Sequence, residues 1–133
     1  MWLDKRVDFT KFELSDKSPL MMACRYNQKE IVNMLLDRGA DFYICDSWGR
    51  SSVTTVCIDG NTEIVKMMLD KGVDFNKWDN RGQSSVIEAC EHGRTEIVKM
   101  LLDIGTDCNQ CDRLGQTPVM MACKTGHKEI VEM

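Results

Sequence analysis

The sequence predicts an all-α solenoid of stacked helix-turn-helix units joined by short hairpin-like turns. Three observations lead there. The 133 residues repeat with a period of 33: segments starting at Glu13, Asp46, Asp79 and Asp112 align, and Met1, Met34, Met67, Met100 and Met133 share one column. Each period holds two short apolar patterns at helical spacing. Glycines recur between them, at Gly60, Gly93 and Gly126 and again at Gly39, Gly72 and Gly105. A fixed period of this length marks a repeat array, in which each unit buries its apolar stripe only against its neighbours.

Within a unit, Ser18, Ser51, Ser84 and Thr117 are expected to N-cap the first helix, and Pro19 and Pro118 suit its first turn. Ala23, Ala89 and Ala122 on that helix are small enough for a neighbour to approach closely. Gly60, Gly93 and Gly126 stop it in the left-handed conformation, and Asn27 stands in their column in the first full unit. The second helix opens with Glu30-Ile31-Val32, Glu63-Ile64-Val65, Glu96-Ile97-Val98 and Glu129-Ile130-Val131. Its glutamate lies in the first turn, where the helix dipole favours it. Ile64, Met67 and Met68 at i, i+3, i+4 predict a single buried stripe, which assigns Met34, Met67 and Met100 to the core. Met21-Met22 and Met120-Met121 are expected to mix core and edge. Gly39, Gly72 and Gly105 end the second helix. Helices this short are marginal alone, so stability is expected from stacking.

The whole chain reads as one domain: a partial unit over 1–12, full units over 13–45, 46–78 and 79–111, and a partial unit over 112–133. Both ends fall inside a second helix with no polar capping unit, so a segment of a longer array is expected. A composition of 43% hydrophobic and 29% charged residues suits a folded, water-soluble unit. The net charge of −4 argues against nucleic acid as a partner, since that surface needs a basic face. No apolar run is long enough for direct membrane insertion, and the first ten residues hold no apolar signal core. Seven cysteines without such a signal predict free thiols in an intracellular, reducing compartment, cytoplasm or nucleus.

The cysteines follow the repeat. Cys24, Cys57, Cys90 and Cys123 share one column, Cys45 and Cys111 share another with Phe12 and Trp78, and Cys108 stands where Phe9, Phe42 and Phe75 do. They are expected to pack as small hydrophobes. A zinc site needs four converging ligands, and Cys108-Asn109-Gln110-Cys111 supplies a single knuckle, so neither metal nor cofactor is expected. Two histidines exist, and His92 points away from Cys90 on a helix, leaving no nucleophile–base pair. The chain does not read as an enzyme.

Thr117-Pro118-Val119-Met120-Met121-Ala122 followed by Gly126-His127-Lys128-Glu129, together with Asp74-Phe75-Asn76 and Asp107-Cys108-Asn109, resembles the ankyrin repeat. Ser51-Ser52 and Ser84-Ser85 depart from its Thr-Pro, and Met21, Thr54, Ile87 and Met120 replace its histidine. Asp16 replaces the glycine before the first helix of the first full unit, and Asn27 the one after. These two changes are expected to loosen that unit.

The resemblance implies a protein-protein interaction or scaffold module that binds a partner protein or peptide on a concave face formed by turn tips and first helices. Carried over by position, that face comprises Leu14, Ser15, Lys17, Arg25 and Tyr26, then Ser47, Trp48, Arg50, Ile58 and Asp59. Trp78, Asn80, Arg81, Gln83, Glu91 and His92 follow, then Arg113, Leu114, Gln116, Lys124 and Thr125. Aromatic and arginine side chains dominate binding hot spots. Six Lys or Arg against two Asp or Glu among these positions predict an acidic or aromatic-bearing peptide partner. The alternative is a passive spacer segment of a longer array. The family's asparaginyl hydroxylation points to Asn109 and Asn76 as modification sites.

Overall fold

A computed structural model of the chain describes residues 18–133, which form eight helices in four pairs. The first pair is α1 (Pro19–Arg25) and α2 (Lys29–Asp37), the second α3 (Ser52–Asp59) and α4 (Thr62–Asp70). The third is α5 (Ser85–Glu91) and α6 (Thr95–Asp103), the last α7 (Pro118–Thr125) and α8 (Lys128–Val131). The residues expected to form the first partial unit, together with Leu14, Ser15, Asp16 and Lys17, lie outside the described residues.

The four expected caps are all made. Ser18, Ser51, Ser84 and Thr117 accept the backbone N–H three residues on at 3.0, 3.2, 3.3 and 3.4 Å. Thr54 reciprocates by accepting the Ser51 N–H at 3.1 Å, closing a capping box. The turn to the second helix needs a left-handed residue, and Asn27 supplies it at φ 56°, as Gly93 does at 69°. Asparagine visits this region at modest cost, so Asn27 keeps the turn its column requires.

α1, α3, α5 and α7 stack into one layer, and α2, α4, α6 and α8 stack into a second. Between the layers lies a continuous core of Leu20, Val53, Val56, Val86, Ala89 and Ala122 from the first helices and Val32, Val65, Val98 and Leu101 from the second. One expectation fails here. Met34 is 46% exposed, and Met67 and Met100 are only half-buried. The buried stripe runs instead through Ile64, Val65 and Met68, and through Ile97, Val98 and Leu101. Each second helix packs against its own first helix and against flanking second helices at once. The residues covered from both directions lie one position on from the column the spacing singled out.

On the first helices, Met21 and Met121 are buried whereas Met22 and Met120 are exposed, the expected mixture. The direction is readable: Thr55 Oγ1 meets Met21 Sδ of the preceding helix at 3.6 Å. The Met21 column, with Thr54 and Ile87, is buried wherever another first helix follows, and Met120 has none beyond it.

All seven cysteines are free. Cys24, Cys57 and Cys90 are buried, and desolvation pushes each thiol up to about 12. They pack as small hydrophobes and carry no thiolate. Cys123 of the same column is exposed for the same reason as Met120.

Candidate protein-binding face

The turn tips are built by Asp46, Asp79 and Asp112. One carboxylate oxygen of each accepts two backbone N–H groups, two and four residues on. Asp46 Oδ1 takes Trp48 at 3.0 Å and Arg50 at 2.9 Å, and Asp79 Oδ1 takes Arg81 at 2.9 Å and Gln83 at 3.1 Å. Asp112 Oδ1 takes Leu114 and Gln116, both at 2.9 Å. The aspartate N–H closes each tip by donating to the carbonyl of Arg50, Gln83 or Gln116. These aspartates are buried. In the sequence they are legible only as the first residue of three units, and nothing in their spacing marks them as the frame of the tip.

The other carboxylate oxygen reaches sideways. Arg25 Nη2 donates to Asp46 Oδ2 at 2.7 Å, tying α1 to the next tip, and its guanidinium lies 5.7 Å from the Trp48 ring centre. Gln83 Nε2 donates to Asp112 Oδ2 at 3.3 Å, and Asn80 N–H to the Gly49 carbonyl at 3.0 Å. The Arg81 side chain lies on Gly49 and the Arg113 side chain on Gly82, each within contact distance of where a Cβ would stand. A second ladder links the helix turns: Asn61 Nδ2 donates to the Cys24 carbonyl at 3.3 Å and Arg94 Nε to the Ile58 carbonyl at 2.9 Å. His127 Nε2 lies 3.1 Å from the Glu91 carbonyl in the same position. His127 is thus a joint between units.

The positions expected to meet a partner divide into three groups. Tyr26 (68% exposed), Trp48 (65%) and Leu114 (82%) stand out in solvent, and Arg50, Asp59, His92, Arg113 and Lys124 are exposed with them. Trp78 is exposed and donates its Nε1 to Gln110 Oε1 at 3.0 Å. Arg25, Arg81, Gln83 and Glu91 are half-buried, the first three by the contacts that frame the tips. Ile58 is a correction: it is 8% exposed and belongs to the interior, because a branched apolar side chain at the end of α3 gains more under the next unit than in solvent. Asn76 and Asn109 are both exposed in loops closed by Asp74 and Asp107, and Asn76 Oδ1 accepts the Asp107 N–H at 3.2 Å.

The face is also less basic than its exposed positions imply. Asp46, Asp79, Asp112 and Glu88 join Asp59 and Glu91, so six carboxylates face the five cations Arg25, Arg50, Arg81, Arg113 and Lys124 among the described residues.

Glu88 is the residue that spacing did not reveal. Its column otherwise holds Met22, Thr55 and Met121, yet it is 1% exposed. Arg81 Nη2 donates to Glu88 Oε1 at 2.6 Å and to Asp79 Oδ2 at 2.8 Å, while Nε donates to Asp79 Oδ2 at 3.1 Å. Glu88 Oε2 accepts no hydrogen bond and has His92 Nδ1 3.5 Å away. Desolvation, with Arg81 opposing and Glu91 adding, holds the Glu88 carboxyl above its ordinary value. A raised carboxyl favours the folded state where it is protonated, and that gain is lost as pH rises from the ordinary glutamate value through the folded one. Glu88→Met, the residue of its sister units, should therefore be neutral or stabilising by up to about 2 kcal/mol near neutral pH. Arg81 keeps Asp79, so no charge is stranded. Urea denaturation at two pH values checks it: destabilisation at neutral pH would show that the Arg81 pair outweighs the orphaned oxygen.

Two helical layers carrying a ladder of aspartate-framed tips define a helical-repeat scaffold. The family model for ankyrin repeats in three copies matches residues 20–112, and the model for one ankyrin repeat matches 114–133. The chain belongs to the ankyrin-repeat family, whose repeats are generally non-catalytic protein-protein interaction modules. No curated protein matches the chain. Among the described residues no helix is long and apolar enough to cross a membrane.

Proposed function

We propose that this chain binds a partner protein or peptide on the face formed by its tips and first helices. The observation that carries this reading is the exposure of Trp48 and Leu114 on tips that buried aspartates hold in place, with Tyr26 exposed at the end of α1. Large side chains on a pre-ordered frame lose little freedom on binding, which is what a hot spot requires. Arg25 backs the Trp48 ring while remaining paired with Asp46, so Trp48 offers an ordered aromatic surface. With the carboxylates offsetting the arginines, an aromatic-bearing partner fits this face better than a strongly acidic one. The free thiols suit an intracellular, reducing setting.

The test compares the parent with a Trp48→Ala, Arg50→Ala, Leu114→Ala variant in quantitative pull-downs, after circular dichroism shows equal helicity. None of the three side chains holds a tip together, so the fold should survive. The expected result is a protein retained by the parent and reduced more than about tenfold on the variant. Equal retention would leave the passive spacer as the better account.

A further inference from the structure

We propose that Glu88, Glu91 and His92 form a binding site for a divalent transition-metal cation of the Zn2+ type. The three residues sit at i, i+3 and i+4 at the end of α5, so their side chains project from one side of the helix. One carboxylate oxygen from each glutamate and one ring nitrogen of His92 lie within 4.8 Å of one another.

Three features point to a cation there. The buried Glu88 oxygen is the first: Oε2 is shielded from solvent and accepts no hydrogen bond, with His92 Nδ1 3.5 Å away, and a buried acceptor left in this state is costly. Charge is the second. Arg81 is shared between Asp79 and Glu88 Oε1, and Glu91 stands beside Glu88 and His92, so these three carboxylates exceed the one guanidinium by two charges. A divalent ion balances that number, whereas one lysine from a partner would not. The imidazole is the third. His92 Nδ1 lies 3.5 Å from Glu88 Oε2 and 3.0 Å from the Glu88 carbonyl, so a turn of the ring that releases the carbonyl brings a nitrogen lone pair to the carboxylates.

The geometry asks for little movement. Donors around tetrahedral zinc stand about 3.3 Å apart for bonds of about 2.0–2.1 Å, so the widest pair must close by about 1.5 Å. Glu91 and His92 are half-buried and exposed respectively, and can rotate, while Arg81 holds Glu88 still. Two carboxylates and one imidazole leave a fourth position open to solvent.

The experiment is calorimetric titration of ZnCl2 into chelator-treated chain without any partner, with His92→Asn and Glu91→Gln in parallel. Neither substitution touches the core, and melting curves confirm the fold. Cobalt titration followed by absorption reads the ligand type, since thiolate ligands produce an intense near-ultraviolet charge-transfer band. The expected result is one ion per chain, affinity lowered at least about tenfold by either substitution, and no thiolate band. Absence of binding, binding indifferent to both substitutions, or a thiolate band placing the metal on Cys108, Cys111 or Cys123 would overturn the proposal.

Discussion

Asp79→Ala is expected to lower the free energy of unfolding by about 3 kcal/mol or more. The substitution strips two tip N–H groups, Arg81 and Gln83, of their shared acceptor and leaves the Arg81 guanidinium with Glu88 alone. Each buried group left unpaired costs on the order of 1–3 kcal/mol, and breaking one side of a buried ion pair adds to that. Asp79→Asn keeps an oxygen for the two N–H groups and should lose about half as much. Asp112→Ala should lose less than Asp79→Ala, because its second oxygen holds only the Gln83 amide. Urea denaturation followed by circular dichroism measures all three. If Asp79→Ala and Asp79→Asn proved equal, the backbone bonds would not be the source of the loss.

The tip at Asp112 should also make the array sensitive to acid. Desolvation alone would raise the Asp112 carboxyl, but N–H bonds from Gln116 and Leu114, with the Gln83 amide and Lys124, hold it below its ordinary value. A carboxyl held low contributes stability that is fully present above the ordinary aspartate value and is lost as pH falls through the folded one. Glu88 works in the opposite sense in a higher window, so stability should pass through a maximum in the mildly acidic range.

Phe75→Ala should cost about 3–5 kcal/mol, the usual loss for a fully buried phenylalanine. Phe75 is almost completely covered, whereas Phe42 and Cys108 in the same column are half-buried. Phe42→Ala should therefore cost clearly less, and Phe75→Cys, the residue of the next unit, should fall between. Asp74 next to it donates its N–H to Tyr43 Oη at 2.7 Å, so the loop is anchored to the preceding unit as well. Stability in such an array is a sum of unit and nearest-neighbour terms, and a cavity in the middle weakens the joint between its two ends. The unfolding transition of Phe75→Ala should broaden as well as shift. Equal midpoints for Phe75→Ala and Phe42→Ala would sink this account.

The period of 33, the two helices per unit, the caps at Ser18, Ser51, Ser84 and Thr117, and the thiols packed as hydrophobes were legible in the sequence alone. Each depends on residues within a few positions of one another: a cap reaches three residues, an apolar stripe repeats every three or four. What the tertiary structure decided depends on residues much further apart. Whether Met67 or Met68 faces the core is set by which neighbouring helices cover that shoulder, and Ile58 is buried by the unit after it. Arg25 reads in the sequence as available for a partner, whereas Asp46, 21 positions on, lies 2.7 Å away and holds it. Glu88 reads in the sequence as an ordinary helical glutamate, and only burial beside Arg81 turns it into a carboxylate with one oxygen bonded and the other left without a hydrogen bond. Local spacing determines helices and their ends, because those bonds close within a turn or two. Burial and charge pairing are decided between stacked units, where the contacts that matter span 21 to 37 residues.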